Sequence, residues 1–196
     1  MAAARRDGAD PAAPWVRFLR LAAEAPALPG AYLLLIVLPA PLSFTLPQRS
    51  AVTLPPGRYL YAGSANGPGG LRARLSRHLR EKKKPHWHID RLTLAGTAPG
   101  AWVVPGGGEC ALVAALAHLP LPLPGFGSTD CRRCPSHLLA WPPGAGLPPG
   151  YETPRYETPR YETGDLPAPA ATATRPLTES SAAAAVTMLT PSGYSR

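Results

Sequence analysis

Residues 61 to 80 read YAGSANGPGGLRARLSRHLR, and the change of period inside this stretch decides the fold. From Arg58 to Gly63 the chain alternates with a period of two, which places Tyr59 and Tyr61 on one face of a strand. Residues 64 to 70, SANGPGG, are a glycine-rich loop. From Leu71 to Arg80 the period becomes helical, with Leu71, Leu75, His78 and Leu79 on one side and arginines filling the rest.

Upstream, Ala31 to Leu38 is a dense aliphatic run after a glycine. It is short enough for a buried strand and far from the roughly 18 apolar residues that a membrane helix needs. Phe44 to Leu54 alternates but is interrupted at Pro47. That suits an edge strand or a hairpin, because proline cannot donate to a central ladder. Downstream, residues 86 to 94 fit helix or strand, Ala101 to Val104 a strand, Gly108 to Leu119 a helix, and Ser136 to Trp141 a last strand. The expected class is α/β (α+β), a small, mainly antiparallel sheet whose adjacent strands are hairpin-linked and flanked by helices.

With 27 prolines and 19 glycines, the whole chain cannot be core, and composition divides it. Residues 28 to 142 carry twelve Lys/Arg against four Asp/Glu and hold all three cysteines and all five histidines. Residues 1 to 27 have a net charge of +1 and residues 143 to 196 of −1. The domain is therefore placed at 28–141. Residues 1–27 form an N-terminal extension with a short amphipathic helix over 14 to 25, set by Trp15, Phe18, Leu19 and Ala22. Residues 142–196 read as a disordered Pro/Ala/Thr-rich tail, in which YETPR occurs at 151 to 155 and again at 156 to 160. Such a tail buries too little apolar surface to offset its ordering entropy.

Concentrated positive charge favours polyanions through phosphate neutralisation, so nucleic acid, DNA foremost, is the expected partner. No membrane span and no secretory signal is expected, although an organellar transit peptide is left open. Three cysteines do not make a secreted disulfide framework, which points to an intracellular, reducing location in the cytoplasm, nucleoid or nucleus.

GAY at 30 to 32, YAG at 61 to 63 and LRARLSRH at 71 to 78 stand in order, with Glu109 opening a later helix. This arrangement resembles the GIY-YIG nuclease superfamily. It is most like a GIY-YIG-related domain also found fused to endonuclease III-type DNA glycosylases, whose pattern is similar to YAGSANGPGGLRARLSRHLR, KPHWHID, and GFGSTDC before SHL. The likeness covers residues 28 to 141. It implies that Arg74 is the catalytic arginine, that Glu109 holds one Mg²⁺ or Mn²⁺, and that Tyr32 and Tyr61 are the motif tyrosines, one of which helps to orient or deprotonate the attacking water. His78 resembles the family histidine that contacts phosphate or water, and a packed core histidine is its other reading. Ala31 and Ala62 depart from the bulkier residue expected at the centre of each tripeptide.

Between Arg72 and Lys84 there are seven positive side chains and one acid, Glu81. Arg72, Arg77, Arg80, Lys82, Lys83 and Lys84 are accordingly read as phosphate contacts that position nucleic acid without reading its sequence. Cys131, Cys134 and His137 have spacing that a zinc site uses, with His86 and His88 as sources of a fourth ligand. Only one clear ligand pair is present, so the preferred reading is that Cys131 and His137 pack near the sheet, with Asp130 fixing a turn. His88 and Asp90 are read either as a hydrogen-bonded pair near the active face or as part of a helix cap. The resulting expectation is a metal-dependent endonuclease that hydrolyses DNA phosphodiester bonds in repair or processing. Its alternatives are a non-catalytic nucleic-acid-binding module and a zinc-stabilised interaction protein.

Overall fold

β2 (Gly30–Leu38) is buried along its whole length, and the rest of the fold follows from that. A computed structural model describes residues 16–45, 51–129, 131–152 and 154. The chain adds β1 (Phe18–Leu19), β3 (Leu42–Thr45), β4 (Ala51–Leu54), β5 (Gly57–Ser64), β6 (Thr97–Pro105) and β7 (Leu138–Ala140). Its helices are α1 (Gly70–His78), α2 (Asp90–Ala95) and α3 (Glu109–Ala115).

Five strands form one antiparallel sheet in the order β1-β6-β2-β5-β7, so β2 sits at its centre. Leu34, Ile36 and Leu38 pack with Leu71 and Leu75 of α1 and Leu92 of α2. Ala31, Leu33 and Leu35 pack instead with Leu112 and Val113 of α3 and with Leu116 just beyond its end. Helices thus cover both faces of an antiparallel sheet, which is why β2 reads as continuous aliphatic sequence and not as alternation. Ala31 and Ala62, the small residues at the tripeptide centres, are fully buried on the α3 side. β3 and β4 pair only with each other, as a two-stranded sheet that packs Phe44 and Leu54 into the first cluster. No helix among the described residues is long and apolar enough to cross a membrane.

Two expectations about the ends of the domain need correction. Over the described residues 16 to 25 the expected helix is not found: Phe18 and Leu19 pair with Trp102 and Ala101 of β6, and only Ala22–Glu24 make a 3₁₀ turn. The edge of β6 supplies hydrogen-bond partners and the Trp102 ring packs edge-on to Phe18 at 4.7 Å, an arrangement that a short isolated helix cannot match. Trp15 lies outside the described residues. Beyond Trp141 the chain also stays packed. The Trp102 indole N–H donates to the Glu152 carbonyl at 2.8 Å, the Phe18 N–H donates to Glu152 Oε2 at 3.1 Å, and Tyr151 bridges to Val16. The folded region therefore runs to Glu152; the tail expectation for 155 to 196 falls outside the described residues.

Candidate active site and metal centre

Tyr32 on β2 pairs in register with Gly63 on β5, and Tyr61 lies two residues earlier on β5, so both rings project on the α1 side of the sheet. Gly63 is what lets Tyr32 lie across the neighbouring strand, since a Cβ there would collide with the tyrosine hydroxyl. Gly127 does the same for Tyr61: its φ is +69° and an added Cβ would stand 2.7 Å from the ring. Burial raises the Tyr32 hydroxyl well above the usual phenol range, with Tyr61 and Glu109 adding to the effect and Arg74 opposing it. Burial, then Glu109, pushes Tyr61 up to about 12. Both hydroxyls are protonated at neutral pH and available as donors.

Arg74 and His78 are four residues apart on α1 and share a face. His78 is 2 % exposed, and its Nε2 lies 2.8 Å from the Tyr32 hydroxyl. Burial, reinforced by Lys83, lowers its imidazole from 6.5 to about 3. The ring is therefore neutral; we assign the Tyr32 hydroxyl as the donor to Nε2, which places the imidazole proton on Nδ1, facing the Asp90 carboxylate. That nitrogen has no hydrogen-bond partner and lies 3.9 Å from Asp90 Oδ1, which also has none. The Arg74 guanidinium lies over the Trp87 ring at 4.8 Å, a cation–π contact that fixes where its fork points.

Asp90 is fully buried at the start of α2 and organises the segment between the two helices. Its Oδ2 accepts from Arg77 at 2.6 Å and from the backbone N–H groups of His86 and Trp87 at 2.9 and 3.0 Å. Burial alone would raise this carboxyl, but the Trp87 and His86 N–H groups and the Arg77 guanidinium outweigh it and hold it low. Asp90 thus holds the turn ahead of α2, and α2 itself has no side-chain cap. His88 turns elsewhere, its ring 6.1 Å from that of Phe126.

The inferred basic surface divides into two sets. Arg80, Lys82 and Lys84 are exposed. Lys83 is turned inward: its ammonium donates to the carbonyls of His78 at 2.7 Å and Arg77 at 3.3 Å, closing the C-terminus of α1, and burial lowers it from 10.5. Arg77 is held by Asp90 and the Lys84 carbonyl, and Arg72 Nε donates to the Ala25 carbonyl.

Glu109 is the first residue of α3, half-exposed at the helix N-terminus. With Tyr32, Tyr61, Arg74 and His78 it lines one cavity of about 270 Å³. All five residues singled out from the sequence thus converge, although α3 packs on the opposite face of the sheet from α1. Glu109 is the only carboxylate lining this cavity among the described residues. One carboxylate in a polar, solvent-accessible cavity suits a hard divalent cation that keeps most of its waters.

Beside the cavity, Cys131 and His137, which also line it, meet Cys134 and Cys110. The four donor atoms lie within 4.8 Å of one another, a Cys₃His group that could hold a metal ion. Cys131 and His137 lie together as expected, and the residue that completes the group is Cys110 of α3, in place of His86 or His88. The Arg133 N–H, followed by His137 and the Cys134 N–H, lowers the Cys131 thiol to about 6. Asp130 lies outside the described residues. Sequence reasoning missed Cys110 because it was seen only as a helix residue; its position directly after Glu109 was the available signal. Trp87 as the partner of Arg74 had no sequence signal, because the contact spans two elements.

A model of the family described as "Domain of unknown function DUF123" matches residues 31–145, more than half of the chain. The chain belongs to this family. No curated protein and no solved structure matches it. The DUF123 region takes in every cavity residue, from Tyr32 to His137, and the whole Cys₃His group.

Proposed function

We propose that this DUF123 domain is a GIY-YIG-type, metal-dependent endonuclease that hydrolyses DNA phosphodiester bonds. The observation that carries the reading is the convergence of Tyr32, Tyr61, Arg74, His78 and Glu109, from two strands and two helices, on one cavity. Packing alone does not call for two tyrosines, an arginine, a neutral histidine and a carboxylate at one opening. The resemblance of GAY, YAG and LRARLSRH to the GIY-YIG pattern supports the same reading, as does the likeness to the domain fused to DNA glycosylases.

Arg74, held by Trp87, places a fixed cation against the non-bridging oxygens, where charge grows in the transition state. Glu109 would hold a Mg²⁺ or Mn²⁺ ion, which when bound supplies Lewis acidity and a template for the phosphate. Tyr32, fixed by its hydrogen bond with His78 Nε2, orients the attacking water, whose proton leaves to bulk solvent. The water oxygen forms the new bond to phosphorus, the bond to the leaving oxygen breaks, and that oxygen is protonated from solvent. Tyr61 orients the phosphate or the water from the neighbouring strand. Exposed Arg80, Lys82 and Lys84 would grip the backbone beside the cavity.

The test is cleavage of supercoiled plasmid and branched DNA by the full chain with Mg²⁺ or Mn²⁺. Wild type should cut, and Arg74→Ala and Glu109→Ala should lose roughly 10²-fold or more in rate. If wild type cuts none of these substrates better than the variants, the enzyme reading fails, and DNA binding alone would then mark a non-catalytic binding module.

A further inference from the structure

We propose that Cys110, Cys131, Cys134 and His137 bind a single zinc ion as a closed structural centre, which fastens the N-terminus of α3 to the loop ahead of β7. Such a centre stands whether or not the neighbouring cavity cleaves DNA.

Spacing is the first support. Zinc–sulfur bonds of about 2.3 Å in a tetrahedron place ligand sulfurs about 3.8 Å apart. The Cys110 and Cys131 sulfurs are 3.5 Å apart, and no two of the four donor atoms exceed 4.8 Å. All three cysteines are free thiols. This is the spacing of four donors around one ion.

The backbone around Cys131 is the second. The N–H groups of Arg133 and Cys134 approach its sulfur at 3.4 and 3.3 Å. A turn that directs two amide dipoles at one sulfur solvates a thiolate, the form a metal requires. Arg132 and Arg133, both exposed, offset the negative charge that three thiolates and a neutral imidazole leave around a divalent ion.

His137 is the third and most specific. Its side chain is buried at 3 % exposure, and its Nε2 has no hydrogen-bond partner. Its backbone is fixed on both sides: its N–H donates to the Phe126 carbonyl at 2.9 Å, and its carbonyl accepts from the Ala62 N–H at 2.9 Å. An imidazole locked in place beside three thiols, with a buried nitrogen unsatisfied, is costly unless something coordinates there.

Three sulfurs and one nitrogen select a soft or borderline cation over magnesium or calcium, and four protein ligands leave no open position. The centre is thus structural. Cys110 follows Glu109 directly, so the ion would also set where the candidate carboxylate sits.

The full chain, purified without added metal and passed over a chelating resin, should retain one zinc per chain by elemental analysis. Replacement by Co²⁺ should give the visible bands of tetrahedral cobalt and near-ultraviolet thiolate-to-cobalt charge transfer. Cys131→Ser and Cys134→Ser should lose stoichiometric zinc, whereas Glu109→Gln should keep it, which separates this centre from a hard-cation site in the cavity. Should the cysteine variants fail to fold, the wild-type cobalt spectrum and protection of its thiols from a disulfide reagent, abolished by a strong chelator, still decide the matter. The proposal is overturned if folded wild type takes up no stoichiometric zinc or cobalt with its thiols freely reactive, if iron is the ion found, or if Cys131→Ser retains full zinc.

Discussion

The Tyr32 hydroxyl donates to His78 Nε2 across 2.8 Å, joining the central strand to α1 at two buried groups 46 residues apart in sequence. Each partner explains the state of the other. The imidazole is neutral because it is buried, which leaves one ring nitrogen as an acceptor; the phenol is held protonated by burial, so it keeps a proton to donate. Behind His78, Asp90 stands 3.9 Å from Nδ1 and is itself held by Arg77 and two backbone N–H groups.

Tyr32→Phe removes the donor and leaves a buried acceptor unsatisfied. It is expected to cost about 1–3 kcal/mol of stability, read from urea unfolding. In the plasmid assay it should slow cleavage by roughly 10²-fold, because this hydroxyl orients the attacking water. Retention of wild-type rate by Tyr32→Phe would remove Tyr32 from the mechanism.

Arg74→Lys keeps the charge but gives up the planar fork and much of its stacking on Trp87. Its rate should fall well below that of wild type while staying above Arg74→Ala. Trp87→Ala leaves the arginine in place but unrestrained; the cation–π attraction it removes, about 0.5–1 kcal/mol at an exposed site, corresponds to a few-fold slower reaction. Single-turnover rates on one duplex substrate would order the three variants.

The division of the basic residues predicts two different phenotypes. Replacing exposed Arg80, Lys82 and Lys84 together by alanine should weaken DNA binding similarly for all sequences. It should also reduce the salt slope by about 0.9 for each phosphate no longer neutralised. Lys83→Ala should leave that slope unchanged and instead destabilise the fold by about 1–3 kcal/mol, since its ammonium serves the last carbonyls of α1. Binding titrations at several salt concentrations, with unfolding curves, distinguish the two.

His78 makes stability depend on pH in a defined window. Between about pH 6.5 and 3 the unfolded chain carries a proton on this imidazole that the folded chain does not. Stability therefore falls as the pH falls through that window, by up to about 1.4 kcal/mol per unit. Asp90, whose carboxyl is held below 3.8, adds its own loss only at the acid end. Urea midpoints from pH 7 to 4 should decline, and more gently in His78→Gln. A decline equally steep in that variant would place its origin in other groups.

Much of the fold was legible because it rests on local pattern. The aliphatic run of β2, the period-two stretch of β5 and the arginine-rich helix after the glycine loop each carry their own periodicity, so their places came out within a residue or two. Where a segment's structure depends on a distant partner, the sequence misled. Phe18 and Leu19 have helical spacing but pair with β6, because an open sheet edge and the Trp102 ring outweigh a weak local preference. Residues up to Glu152 look like tail but are tied back by the Trp102 indole.

The same boundary runs through the candidate site. By itself the sequence determined the types and order of Tyr32, Tyr61, Arg74, His78 and Glu109, because each lies at a recognisable place on a strand or helix. Only the tertiary structure decided that they share one cavity, that Lys83 faces inward while Arg80 and Lys84 do not, and that Cys110 joins Cys131, Cys134 and His137. The physical reason is that periodicity fixes which face of its own element a side chain occupies. Which faces meet depends on how the sheet orders its strands, and there β5 and β7 become neighbours with 73 residues between Ser64 and Leu138.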